Sequence, residues 1–175
     1  MTKPELLEAL KRAHADTCSY FESLSPDDFF RSTTGWTAAE NLEHLSKATS
    51  GTLLGFRSPR AILGLAFGKK SSRSFDEVRD EYESILAQGR GAGALYQPRS
   101  QKADASKQKA MIEKFRKSCE KLERAVSSWS EEDLDKCGIP HPLLGKLSGR
   151  EMAYFCIFHP AHHLEKLKSK LATAN

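Results

Sequence analysis

A chain of 175 residues is long enough to bury a core without disulfides or metals as staples, and its formal charge of +4 is too mild to single out nucleic acid as a partner. The four cysteines (Cys18, Cys119, Cys137 and Cys156) form no CxxC pair, which argues against a disulfide framework or a thiolate zinc knuckle and fits a reducing compartment. The opening stretch MTKPELLEAL is helix-like and has no signal-peptide apolar core, and no run reaches the ~18 apolar residues of a membrane span. One soluble, cytoplasmic domain over residues 1–175 is therefore expected.

The first predicted helix covers Glu5–Leu24, with Thr2 as its cap and Pro4 in its first turn. Leu6, Leu7, Leu10, His14, Cys18, Phe21 and Leu24 trace its apolar stripe. Ser25–Phe30 reads as a short capped turn and Arg31–Trp36 as loop. Thr37 and Glu40 then form a capping box that starts a second helix, on which Leu42, Leu45, Thr49, Leu53 and Phe56 form the apolar stripe and His44 sits mid-helix.

Arg57–Arg73 holds five basic residues, no acids and an apolar middle. Its plain reading is a core-covering lid or helix extension; its sharper reading is a surface for acidic lipid or phosphate. Ser74–Gln88 returns to helical periodicity as an accessory helix. Gly89–Ser106 reads as a long polar loop and matches no phosphate-cradling glycine motif. Lys107–Trp129 reads as the longest helix, with Ile112, Phe115, Cys119, Leu122, Val126 and Trp129 spaced as in antiparallel bundles. The stretch up to Leu147 reads as loop with a brief turn, and Ser148 and Glu151 form another capping box that launches the last helix. No sustained period-two alternation marks a strand. The fold class that follows is all-α: a four-helix up-down bundle with an accessory helix and long connecting loops.

The last helix carries His159, His162 and His163. His159 and His163 lie four residues apart, which on a helix stacks two imidazoles on one face about 6 Å apart. With His44 from the second helix they can make a three-histidine site that leaves coordination positions open for water or substrate. From spacing alone this reading stands level with a plainer one, in which the histidines are satisfied by hydrogen bonds. Pro160 lies inside the pair. It removes one backbone hydrogen bond and clashes with the preceding turn, so the helix is expected to kink there while Phe155, Cys156 and His159 stay in phase with His163 and Leu167. Glu40 is a candidate to orient His44, although its capping role already accounts for it. Cys156 is a candidate fourth ligand or a small core residue, and His162 a rim acid or base or a surface residue. His14 reads as a core histidine and His141 as structural. Trp36 and Phe155 are candidate pocket walls.

Two blocks carry a resemblance. Gly35–Leu45, GWTAAENLEHL, and His141–Leu167, HPLLGKLSGREMAYFCIFHPAHHLEKL, are similar to the DinB-like (DNA-damage-inducible) metalloprotein superfamily, which includes the bacillithiol transferases. With the helical pattern of the first 56 residues, the resemblance spans essentially the whole chain. It implies a four-helix bundle that holds a divalent ion, zinc or nickel, on three histidines. By position these are His44, His159 and His163. The superfamily's name refers to induction by damage and implies no DNA binding; the resemblance also implies a homodimer.

Three functional readings follow. The resemblance implies a metal-dependent enzyme that uses a low-molecular-weight thiol cosubstrate in S-transfer to a small molecule; a related hydrolase would use the same site with water as nucleophile. The alternative is a non-catalytic stress-response or binding module with a structural or absent metal. A nucleic-acid or membrane-surface binder acting through Arg57–Arg73 ranks last, because only Phe56 and Phe67 supply aromatics there.

Overall fold

A computed structural model describes residues 1–32, 34–91, 93–99 and 103–173. Parts of the predicted loops at 31–36 and 89–106, namely residues 33, 92 and 100–102, lie outside the described residues, as do residues 174 and 175. The described residues form a helical bundle with one small sheet: α1 (Lys3–Ser23), α2 (Pro26–Phe30), α3 (Ala38–Arg57), α4 (Arg60–Phe67), α5 (Phe75–Ala87), α6 (Ala105–Ser127), α7 (Glu131–Lys136), β1 (Gly138–His141), β2 (Gly145–Ser148) and α8 (Gly149–Thr173). None of these helices is long and apolar enough to cross a membrane.

The helix starts follow from local chemistry. Reciprocal capping boxes open α1 (Thr2 and Glu5), α3 (Thr37 and Glu40), α5 (Ser74 and Glu77) and α7 (Ser130 and Asp133), each satisfying two backbone N–H groups that the helix leaves unpaired. Ser148 and Glu151 exchange the same pair of bonds at the start of α8, at 3.1 and 2.9 Å. Asp104 caps α6, which therefore begins two residues before the predicted start and ends at Ser127, short of Trp129. Trp129 instead turns inward, and its indole N–H donates to the carbonyl of Phe56 at 3.0 Å.

Two expectations are corrected. α8, with 25 residues, is longer than α6, with 23, because Pro160 is carried inside the helix without ending it. The stretch after α7 is not plain loop but an antiparallel hairpin in which Gly138 faces Ser148 and Ile139 faces Leu147. Each strand has four residues, one of them Pro140, so the pair is too short to print a period-two pattern. The hairpin forms because Ile139 and Leu147 both bury their side chains, and because its turn is tied locally. The backbone N–H groups of Leu143 and Leu144 donate to Nδ1 of His141 at 3.2 and 3.1 Å, and Gly145 takes a φ of +68° that other residues resist.

The four long helices pack so that α1 and α3 each contact both α6 and α8. The hairpin and α5 add to the side of α8. Two apolar clusters fill the interior. One gathers Leu6, Leu10, Leu53, Phe56, Trp129, Phe155 and Phe158; the other gathers Phe21, Leu42, Leu45, Phe115, Leu164 and Leu167. On α8 the switch from one cluster to the other falls at His159–His163, whereas on α3 it falls between Leu45 and Leu53, just beyond His44. The switch on α1 falls at His14, which is buried and bonds Glu123 of α6 at 2.7 Å.

The basic segment Arg57–Arg73 is largely exposed, with Leu63 buried, but three of its five cations find carboxylate partners. Arg60 pairs with Asp133, and both Lys69 and Arg73 bond the fully buried carboxylate of Glu151. Glu151 accepts from Lys69 Nζ at 2.6 Å, from Arg73 Nε at 3.0 Å and from the backbone N–H groups of Arg73 and Ser148. Burial alone would raise its pKa, but these four donors outweigh it and bring the carboxyl to about 2. This group therefore adds stability that is fully present above its ordinary value of 4.5 and is lost as the pH falls toward about 2. We expect Glu151→Gln to cost about 3 kcal/mol at neutral pH, because it leaves two cations without their buried partner. Its urea midpoint should also depend less on pH in that acidic window than that of the parent protein.

Candidate metal centre

The site forms where α3 packs against the part of α8 that passes from one apolar cluster to the other. The capping box at Thr37 sets the register of α3 and brings His44 and Asn41, three residues apart, onto the face that meets α8. The four-residue spacing of His159 and His163 does the same on α8, and the intervening Pro160 leaves the two rings 4.7 Å apart between centroids.

The three imidazoles meet through the same atom. Nε2 of His159 lies 3.2 Å from Nε2 of His44 and 3.1 Å from Nε2 of His163. The candidate ligand atoms of this trio all fall within 4.8 Å of one another, the only such group of three found among the described residues. A tetrahedral ion with bonds near 2.1 Å needs nitrogens about 3.4 Å apart, close to these separations.

The opposite ring nitrogens explain why the Nε2 atoms converge. His44 Nδ1 lies 2.9 Å from the carbonyl oxygen of Tyr96, which can only accept, so Nδ1 carries the proton. His163 Nδ1 lies 2.8 Å from Oδ1 of Asn41. The Asn41 amide cannot be reversed without loss, because its Nδ2 donates to the carbonyls of Trp36 and Thr37 at 3.2 and 2.8 Å. His163 therefore also carries its proton on Nδ1. In both rings the lone pair is left on Nε2, facing the centre. This is how proteins orient metal-binding histidines.

Electrostatics act in the same direction. His44 and His159 are buried, and His163 is partly so. Burial pulls the pKa of His44 below the ordinary imidazole value. Burial, followed by the charge of neighbouring imidazoles, pulls His159 and His163 well below it. All three are thus neutral at neutral pH, the form that binds a cation.

Aromatic rings enclose the trio. Trp36 stacks parallel to His163 and tilts against His44, and Phe155 stacks on His159 at 4.5 Å. Tyr82 from α5 stands edge-on to His159. A cavity of about 280 Å³ opens beside the histidines, and Trp36, Tyr82, His141, Phe155 and His162 are among the residues lining it. This is near the lower end of volumes that accept small molecules.

The other sequence-predicted candidates take separate places. Glu40 is engaged in its capping box, where it accepts from the Thr37 backbone N–H at 2.8 Å. Cys156 is buried in the first apolar cluster, and burial pushes its thiol to about 12. His162 lies half-buried on the cavity wall against Tyr82. His141 both locks the hairpin turn and lines the cavity, and burial lowers it to about 4.

Sequence reasoning did not single out Asn41, Tyr82, Tyr96, Lys166 or Lys170. Asn41 had a readable signal, being one turn before His44 on the same face. The Tyr96 carbonyl had none, because backbone oxygens carry no residue identity and it reaches His44 from a loop.

After treatment with chelator, long-range nitrogen–proton NMR correlations should find His44 and His163 as Nδ1–H tautomers and His141 as the Nε2–H tautomer. None should gain charge until the pH falls below the ordinary value of 6.5. The reverse tautomer at His44 or His163 would contradict the orientation described.

No curated protein matches the chain. The model of the DinB superfamily matches residues 9–167, which takes in α3, α8 and the three converging histidines. The chain belongs to the DinB superfamily.

Proposed function

We propose that His44, His159 and His163 hold a divalent ion, zinc or nickel, and that the protein is a metal-dependent enzyme transferring a low-molecular-weight thiol to an electrophilic small molecule. One observation carries the metal assignment: the Nε2 atoms of three imidazoles meet at one point, and in His44 and His163 the opposite nitrogen is tied to a fixed carbonyl oxygen, which leaves the lone pair on Nε2. A neutral His159 can donate from Nε2 to at most one of these two lone pairs, so the cluster leaves hydrogen-bonding capacity unused unless a cation completes it. The donor set is all nitrogen and numbers three, which is the pattern of a site with a position left for an exchangeable ligand.

When bound, such an ion lowers the pKa of a coordinated thiol or water and so supplies a nucleophile at neutral pH. The chain's own residues account for the rest. Trp36, Phe155 and Tyr82 exclude water from the face of the imidazoles, which strengthens every charge interaction there. Asn41 and the Tyr96 carbonyl keep the rings from rotating and raise their basicity. His162, half-buried on the cavity wall, is placed to exchange a proton with a bound molecule. The cavity volume supports a small-molecule substrate. Hydrolysis with water as the nucleophile would use the same groups; the superfamily's bacillithiol transferases favour the thiol.

Elemental analysis of protein purified without a histidine tag should find close to one ion per chain. His44→Ala and His163→Ala should each lose it, and retention in both would sink the assigned trio. Asn41→Ala should keep the ion but bind it about 10- to 100-fold more weakly. With the metal fully loaded, the protein should conjugate a small thiol to an electrophile such as monochlorobimane. Absence of turnover with every thiol tried would leave a metal-binding protein without transferase activity.

A further inference from the structure

The face of α8 that carries the histidines does not stop at the metal centre. At 100° per residue, His159, His163, Lys166 and Lys170 fall within about 60° of one another around the helix. Along the axis, Lys166 lies about 4.5 Å and Lys170 about 10.5 Å beyond His163. Both lysines line the same cavity as the histidines. Among the described residues, that lining holds no aspartate or glutamate. Neither ammonium group has an ion pair or hydrogen bond with a described residue.

Lys170 Nζ also lies close to the far wall. Gly35 adopts a φ of +98°, and a Cβ there would lie 2.7 Å from Lys170 Nζ. The ammonium group thus rests against the backbone of Gly35, next to Trp36, whose ring covers His163. A side chain at position 35 would displace it. The cavity therefore has an aromatic, imidazole-lined floor and a positive mouth, with the two charges one and two turns up one helix face.

We infer that the cavity takes a small molecule bearing an acidic group, carboxylate or phosphate, which Lys166 and Lys170 bind while its reacting end reaches the three histidines. This deepens the reading of the trio as a metal centre for small-molecule chemistry and rests on it for the reacting end alone. The acidic end is recognised by charge, because lysines are compact point donors without the planar geometry that selects one oxyanion shape. Within a partly enclosed mouth this attraction is less screened than on open surface, so it also raises the local concentration of such molecules.

Isothermal calorimetry on zinc-loaded protein separates the two ideas. Succinate, inorganic phosphate, mercaptosuccinate and mercaptoethanol are titrated into the parent protein and into the double variant Lys166→Gln, Lys170→Gln. Both lysine ends reach solvent or the cavity, so the variant should fold, and an unchanged melting temperature checks this.

The inference requires at least one acidic probe to bind about tenfold more weakly to the variant, with mercaptoethanol unchanged between the two proteins. Preference for succinate or for phosphate then assigns the acidic group. Acidic probes that bind both proteins equally, or neither, overturn it. Failure of mercaptoethanol to bind either protein, with the lysine dependence of the acidic probes intact, would count against thiol chemistry and leave the acidic subsite standing. A Gly35→Ala variant should weaken the same probes in the same order, because its Cβ moves Lys170 Nζ.

Discussion

The arrangement on which this protein depends is a set of neutral imidazoles, tilted or edge-on to one another, whose Nε2 atoms converge inside the bundle. Burying polar rings in this way costs free energy unless each nitrogen has a partner. The Nδ1 side of His44 and His163 is satisfied by a loop carbonyl and by an asparagine amide, and both acceptors are themselves positioned by helix geometry or by further bonds. The Nε2 side is left to the centre. The protein thus directs its remaining hydrogen-bonding capacity to one point, and the rest of the bundle keeps that point small, aromatic-walled and reachable from one cavity.

α8 ties these features together. Its first turn holds the buried carboxylate of Glu151, to which Lys69 and Arg73 bring the segment between α4 and α5. Its middle supplies two of the three histidines, and its later turns carry the lysines of the cavity mouth. A single rigid helix therefore sets the distance between the anchoring charge, the imidazoles and the mouth. Pro160 sits where an ordinary helix interior would resist it, one residue after His159. The chain accepts it there because packing holds the helix on both sides: Phe158 belongs to one apolar cluster and Leu164 to the other.

The same boundary between clusters holds a second polar contact. His14 of α1 and Glu123 of α6 meet at the level where those helices pass from one cluster to the other. The bundle is thus two apolar halves joined through a belt of hydrogen-bonded polar side chains. Such a belt fixes the relative register of the helices, since sliding any one by a turn would strand a buried polar group. The sharp angular requirements of the imidazole trio are met because the helices around it have one way to pack.

The amino-acid sequence by itself determined the helices and the candidate ligands. Capping boxes at Thr37 and Ser148, apolar stripes of period 3.6 and the HxxxH spacing are local features, written in residues a few positions apart, and they survive folding unchanged. Tertiary structure alone decided what those ligands face. Glu40 and Asn41 both lie about one turn before His44, yet Glu40 serves its own helix cap, while Asn41 reaches across to His163, 122 residues away. The Tyr96 carbonyl, the hairpin around His141 and the contact of Lys170 with Gly35 were equally illegible, because each joins distant segments through backbone atoms or through strands too short to leave a pattern. A helix records its own periodicity in sequence. Which neighbour completes a ring nitrogen, or leaves an ammonium group unpaired over a cavity, is set only when the helices pack.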